Sequence, residues 1–262
     1  MAAGAARAIT NGQPDGGAHP YVGLVAFYDA DDAYVQRCSG TLIGRSTVLT
    51  AAHCAFADDG AALTTVRVWF DDVVGPGVIS GCGGEPSGAS GCGVKGLAVP
   101  HPGFDAYETF PDSKDIAVVR LESRVRGVPL GKLPPVGVLD ALRKTDPVLT
   151  LVGYGFVQLE PVVDDGGRTR RTTTAELAAL NGKTTDGFNV KTKPGPRGGT
   201  FCDGDSGGPV LLGTTRTVVA VSSLVKGSCG KADLSYRVDT KASQDWIRAA
   251  AGLGARIGDD GA

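Results

Sequence analysis

The chain has 262 residues, 42% of them hydrophobic, and its 26 Lys plus Arg nearly balance its 28 Asp plus Glu, for a net charge of −2. That length suits one large or two small domains with a buried core, no apolar run approaches the ~18 residues of a membrane helix, and the near-neutral charge argues for neither a nucleic-acid nor an acidic-surface partner. Forty glycines and 15 prolines among short Val/Thr/Leu runs favour tight turns over long helices, which points to an all-β chain.

In chain order, residues 1–8 (MAAGAARA) have neither the apolar nor the basic region of a secretory signal and read as a propeptide or expression remnant. Strands are expected in YVGLVAFY (21–28), TLIGRSTVLTAA (41–52), TTVRVWF (64–70) and DIAVVRL (115–121). The last of these is apolar on both faces, so it should lie deep. The Gly- and Pro-rich stretch 126–144 shows no clear alternation, and the domain junction is placed in it, dividing the chain into 9–130 and 131–262. Further strands are expected in PVLTLVGYG (147–155), TVVAVSSLV (217–225) and LSYRV (234–238). The only convincing helix is terminal: Asp239 or Thr240 is its N-cap, Trp246, Ala250 and Leu253 share a face, and Gly252 and Gly254 help to end it.

Cys38, Cys54, Cys82, Cys92, Cys202 and Cys229 form an even set without C-x-x-C spacing, and only Cys54 adjoins a histidine. Disulfides in an oxidising, extracellular compartment are expected, the alternative being six reduced thiols in a cytosolic chain. No stretch has calcium-loop spacing, and neither a metal nor a cofactor is expected. RTRR (168–171) reads as a solvated, protease-sensitive loop.

Two stretches carry chemistry: VLTAAHC (48–54) and CDGDSGGPV (202–210). GDSGG fits the G-x-S-x-G elbow of α/β-hydrolases, but that architecture needs a histidine after the serine, and none follows Ser206. Of the three histidines, His19 and His101 precede prolines, leaving His53 as the candidate base. A serine hydroxyl needs a base to take its proton, and the base needs a buried carboxylate to hold its tautomer. Asp58-Asp59, Asp71-Asp72 and Asp164-Asp165 look solvated, whereas Asp115 opens the apolar run IAVVRL and can be carried inside.

Together TAAHC, DIAVVRL and CDGDSGGP resemble the trypsin/chymotrypsin family of serine endopeptidases. The resemblance runs from ITNG at Ile9 through HPYVGLV, CSGTLIG, HPGFD and VGYG to DWI near the end. It implies two packed six-stranded antiparallel β-barrels with a C-terminal helix, and a triad of His53, Asp115 and Ser206 in the cleft between them. The amides of Gly204 and Ser206 would form an oxyanion hole, with Gly204 supplying the backbone turn. It also implies Cys38–Cys54 and Cys202–Cys229 bridges, leaving Cys82–Cys92 to staple a glycine-rich loop, while Leu149 and Leu212 stand where another family bridge is expected.

By the same resemblance the freed ammonium of Ile9 pairs with Asp205, so the chain as written is a precursor activated by cleavage after Ala8. Thr200 falls at the base of the primary specificity pocket, and Asp203 at its rim could attract a base. Ser222 matches the serine behind the triad carboxylate, with Ser223 and Leu224 replacing the usual Trp-Gly. A small or medium uncharged side chain is therefore expected before the scissile bond. The expected partners are a protein or peptide substrate and a proteinaceous inhibitor, with no nucleic acid or membrane, and the chain should be a monomer. The alternative is a protease-like binding module with little activity.

Overall fold

A computed structural model describes residues 9–75, 77–84, 91–155, 168–195, 198–225, 229 and 232–252. Six strands close an antiparallel barrel in the order β2 (Val22–Tyr28), β3 (Tyr34–Gly44), β4 (Thr47–Thr50), β7 (Ala117–Leu121), β6 (Val94–Pro100) and β5 (Thr65–Trp69). A second barrel comprises β8 (Val148–Gly153), β9 (Arg171–Ala179), β10 (Asn189–Pro194), β13 (Asp233–Arg237), β12 (Val218–Val225) and β11 (Pro209–Leu212), and pairing of β8 with β9 closes it. Closure leaves neither six-stranded barrel with an open edge among the described residues. The two-residue β1 (Gln13–Pro14) comes from the start of the chain yet pairs with β9, so the N-terminal segment is lent to the second barrel.

Each strand read from the sequence forms; β1, β6, β9, β10 and β11 are additional, with Gly, Lys or Pro interrupting the pattern in β6 and β10 and Pro opening the short β11. Every residue of β2 is buried, because the core of the first barrel continues into Val152, Tyr154 and Leu211 of the second. β7 is buried except at Arg120, whose Nε donates to the Ala250 carbonyl. Leu149 and Leu212 face each other directly across β8 and β11, so an apolar pair fills the place of the missing bridge. The disulfides Cys38–Cys54, Cys82–Cys92 and Cys202–Cys229 are all formed, although residues 85–90 of the glycine-rich loop lie outside the described residues. Asp164 and Asp165 lie outside them too.

The terminal helix, α3, spans Lys241–Ala250 after two one-turn helices, α1 (Val78–Gly81) and α2 (Val138–Leu142), the latter inside the stretch read as lacking a pattern. Thr240 is its N-cap, accepting from the Ser243 amide, and Gly252 ends it at φ +83°. Ser243, Gln244, Ile247 and Ala250 are its buried residues, Trp246 is partly buried, and Leu253 and Gly254 lie outside the described residues. Among the described residues no helix is long and apolar enough to cross a membrane.

The expectation of a solvated 168–171 loop is corrected at Arg170, which is 1% exposed. Its guanidinium reaches Asp15 (2.9 Å), Asp72 (3.0 Å), the Tyr154 hydroxyl and the carbonyls of Val22 and Phe70. Asp72 is thus an ion-pair partner rather than a merely solvated acid. With every hydrogen-bonding group engaged, a charge that the local sequence assigns to solvent becomes a strut between the two halves of the molecule.

Candidate active site

β4 delivers Thr50 to the barrel rim, where the chain turns into a single 3-10 turn, His53–Ala55, pinned to β3 by the Cys38–Cys54 bridge. On the neighbouring strand, Asp115 stands two residues before β7, which pairs with β4 so that Ala117 faces Thr50. This pairing brings together two residues 62 apart in sequence. His53 donates its backbone N–H to Asp115 Oδ1 (2.8 Å), and its Nδ1 lies 2.8 Å from Oδ2. An ionised carboxylate only accepts, so Nδ1 carries the proton and Nε2 is left with a lone pair.

Both groups are shifted in the sense such a pair requires. Burial opposes ionisation of Asp115, but the His53 charge and the hydrogen bonds from His53 and Ser223 outweigh it, leaving the carboxyl below its ordinary value. Burial likewise depresses His53, and the Asp115 charge and hydrogen bond overcome it, leaving the imidazole above 6.5. The His53 side chain is 25% exposed and Asp115 is fully buried, so the pair has one wet end and one dry end.

The serine turn is stitched to the same rim. Ser39 donates its N–H to the Ser206 carbonyl (2.7 Å) and its hydroxyl to the Gly204 carbonyl (3.2 Å), while Gly207 donates to the Ser222 carbonyl (2.9 Å). Gly207 lies so close to the histidine side that a Cβ there would sit 2.1 Å from Thr50 Oγ1 and 2.3 Å from the Ser39 carbonyl oxygen. Ser206 is thereby held beside the His53 rim, partly exposed. Among the described residues no hydrogen bond of 3.5 Å or less joins its hydroxyl to His53, a distance that in empty sites commonly closes only when substrate binds.

Gly204 adopts φ +84°, a conformation that disfavours any side chain, while Asp205 N bonds Cys202 O and Gly207 N bonds Ser222 O. Gly204 and Ser206 amides donate to no described residue in the backbone network.

Asp205 turns the other way, into the protein. It is fully buried and accepts from the amides of Ile9 (3.0 Å), Cys202 (3.0 Å) and Gly155 (2.7 Å). Burial pushes its pKa up to about 6, the three amides moderate that rise, and the Asp203 charge adds to it. Ile9 is itself buried, and Thr10 and Thr200 exchange backbone and hydroxyl hydrogen bonds beside it. Thr200 is thus fully buried, with its hydroxyl 3.1 Å from that of Thr10, whereas Asp203 is exposed.

One assignment is corrected. The hydroxyl behind Asp115 belongs to Ser223, whose Oγ donates to Oδ2 at 2.6 Å, and not to Ser222. Ser222 spends its backbone groups on Gly207 and Gly208, and the β12–β13 register shifts between Ser222 and Leu224. This irregularity sends the Ser223 side chain, rather than its neighbour's, toward the first barrel. The residues that follow the backing serine are therefore Leu224 and Val225, both partly exposed.

Two further groups escaped sequence reasoning. Tyr107 donates its hydroxyl to Asp115 Oδ2 (2.9 Å), and Asp233, 1% exposed on β13, accepts from the Phe201 amide (2.6 Å). Burial pushes Asp233 up to about 7, and among the described residues its Oδ1 has no partner within hydrogen-bond distance. Neither residue lies in a recognisable motif. Among the described residues the two groupings with metal-ligand proximity, Cys38–His53–Cys54 and Cys202–Asp203–Cys229, are built on cysteines already joined as disulfides.

The geometry agrees with comparisons to known proteins. The trypsin family profile matches residues 9–247. CLIP domain-containing serine protease B15 of Anopheles gambiae is 26% identical over 219 residues, covering 74% of this chain and 55% of the relative. The chain therefore spans about half the length of the relative it matches there. Chymotrypsin-like elastase family member 1 of Felis catus is 28% identical over 207 residues, covering 76% and 71% respectively. Among solved structures HL collagenase superposes with a TM-score of 0.64 at 21% identity, over 92% of this chain and 98% of that one, which supports the shared fold. A profile match over nearly the whole chain, two closed barrels and a histidine–aspartate pair at their junction lead to one conclusion: the protein belongs to the trypsin family.

Proposed function

We propose that the protein is a serine endopeptidase in which Ser206 is the nucleophile, His53 the general base and acid, and Asp115 the carboxylate that orients it. The observation that carries this reading is the His53–Asp115 bond, which leaves Nε2 unprotonated on the side of the ring away from the carboxylate. In the reaction Ser206 Oγ attacks the scissile carbonyl as its proton passes to Nε2. The negative oxygen is met by the Gly204 and Ser206 amides, and the imidazolium returns its proton to the leaving amine. Water, deprotonated by the same nitrogen, then hydrolyses the acyl-enzyme. Removing an oxyanion donor typically costs about 3–4 kcal/mol of transition-state stabilisation.

Activation is read from Asp205. In the unbroken sequence the nitrogen of Ile9 is an amide preceded by Ala8. Cleavage there converts a neutral donor, already 3.0 Å from Oδ2, into an ammonium, which supplies the buried carboxylate with a counter-ion and fixes the loop bearing Gly204. Three disulfides suit an extracellular setting, and the substrate would be a protein or peptide.

Before the scissile bond a small or medium uncharged side chain fits best, because Thr200 shares its hydroxyl with Thr10 and Leu224 narrows the wall. A second reading, a basic side chain, is favoured by the unpartnered Oδ1 of Asp233 behind Phe201. The deciding experiment treats the chain, with and without residues 1–8, with an organophosphonate and maps the adduct by mass spectrometry. Labelling of Ser206 that depends on trimming is expected; labelling at another residue, or none in the trimmed chain, refutes the assignment.

A further inference from the structure

The segment between β6 and β7, residues 101–116, does more than connect them. It places the phenol of Tyr107 against the buried end of the His53–Asp115 pair, with the hydroxyl 2.9 Å from Asp115 Oδ2 and 3.1 Å from His53 Nδ1. Oδ2 therefore receives three donors: His53 Nδ1, Ser223 Oγ and the Tyr107 hydroxyl. Tyr107 is half-buried, and burial together with the Asp115 charge pushes its own pKa up, so it remains a neutral donor at any working pH.

The local backbone is shaped to deliver this group. Ala106 and Tyr107 adopt φ +54° and +71°, and a bulky side chain in the left-handed region needs a structure around it that enforces the conformation. Several contacts do so. Thr109 N donates to Asp105 Oδ2, Phe110 N to the Tyr107 carbonyl, and Asn189 Nδ2 to the Pro111 carbonyl. The Tyr236 hydroxyl bonds Asp112. The Tyr107 ring meets Phe104 edge-on at 5.4 Å, and Phe104 stacks on Phe56, three residues beyond His53. The segment is anchored to both barrels.

We propose that Tyr107 is a positioning residue for the base, its hydroxyl sharing the carboxylate oxygen used by His53 so that the tilt of the imidazole is fixed and the charge facing it is dispersed. This inference rests on the endopeptidase reading for its effect on rate, though not for the geometry. A donor on the carboxylate weakens the attraction between Asp115 and an imidazolium, so Tyr107 lowers the basicity of His53 relative to a pair backed by Ser223 alone. Among the described residues the groups facing the imidazole from the packed elements are the charged carboxylate of Asp115, just before β7, and the neutral hydroxyls of Tyr107 and Ser223.

The test is Tyr107→Phe, which keeps the ring against Phe104 and removes only the hydroxyl. In the trimmed chain the acid limb of kcat/KM should move up by about half to one pH unit and kcat should fall by about ten-fold, with KM little changed. In a Ser206→Ala background, where no turnover is needed, the His53 titration followed by NMR should rise by the same amount. If that titration is unmoved or falls, or if the acid limb stays fixed while only the melting temperature drops, the proposal is overturned. If the parent chain does not hydrolyse substrate yet the NMR shift appears, the endopeptidase reading fails and the positioning role stands.

Discussion

Asp115 and Asp205 are both buried at the junction of the two barrels, and their carboxyls titrate in opposite directions. Asp115 has an imidazole that can become a cation, plus two hydroxyls and an amide; it lies below the ordinary aspartate range. Among the described residues Asp205 has three backbone amides and no cation, and it is pushed up to about 6. Burial is common to both, so the partner decides the sign. Asp15 and Asp233 extend the rule. Burial opposes ionisation of Asp15, but His19 and Arg170 hold it at about 2, while Asp233, with one amide, rises to about 7. In the proposed mechanism, one acid is complete as it stands and the other awaits a counter-ion.

The largest test of this contrast replaces each acid by its amide. Asp115→Asn should lower kcat by about 10⁴-fold in the trimmed chain, the loss known for this substitution elsewhere in the family, because the amide favours the wrong imidazole tautomer. Asp205→Asn should bring the trimmed chain down to the rate of the untrimmed one and leave the untrimmed rate unaltered. Hydrolysis of an ester substrate by all four proteins measures this. An Asp205→Asn chain that still responds to trimming would break the comparison.

Stability is the next scale. Arg170→Met removes the cation from Asp15 and Asp72 and should destabilise by about 3–5 kcal/mol, since the fully buried Asp15 is left facing only His19. Urea midpoints at pH 7 report it, and a change below ~1 kcal/mol would mean that the strut contributes nothing beyond its desolvation cost.

The smallest effect is a difference in pH dependence. In the untrimmed chain the folded pKa of Asp205 is raised, so its stability contribution is fully present below the ordinary value of 3.8 and is lost as pH rises through about 6. Pairing with an ammonium reverses that sign, and the trimmed chain should gain stability relative to the untrimmed one across the same window. Melting curves of both forms between pH 4 and 7 sharpen the contrast. Parallel curves would place the counter-ion elsewhere.

The sequence was most informative where chemistry and local pattern coincide. His53, Asp115 and Ser206 stand in an order that excludes the hydrolase elbow, and Asp115 opens a run with only one exposed position within its strand. Misreadings arose where a long-range partner outweighs local character. Arg170 sits among basic residues and reads as solvated, yet its acid lies 155 positions away; the Ser222/Ser223 choice turned on a one-residue irregularity against β13. Tyr107 is an aromatic in a polar loop, and only the left-handed backbone there brings its hydroxyl to Asp115.

The amino-acid sequence by itself marked most of the barrel strands and the reactive residue types, because alternation and motif spacing are local properties, and its family resemblance implied the two-barrel class. Tertiary structure alone decided which hydroxyl backs the carboxylate, which charges are buried and which acid lacks a cation, because each depends on a polar partner supplied by another part of the chain.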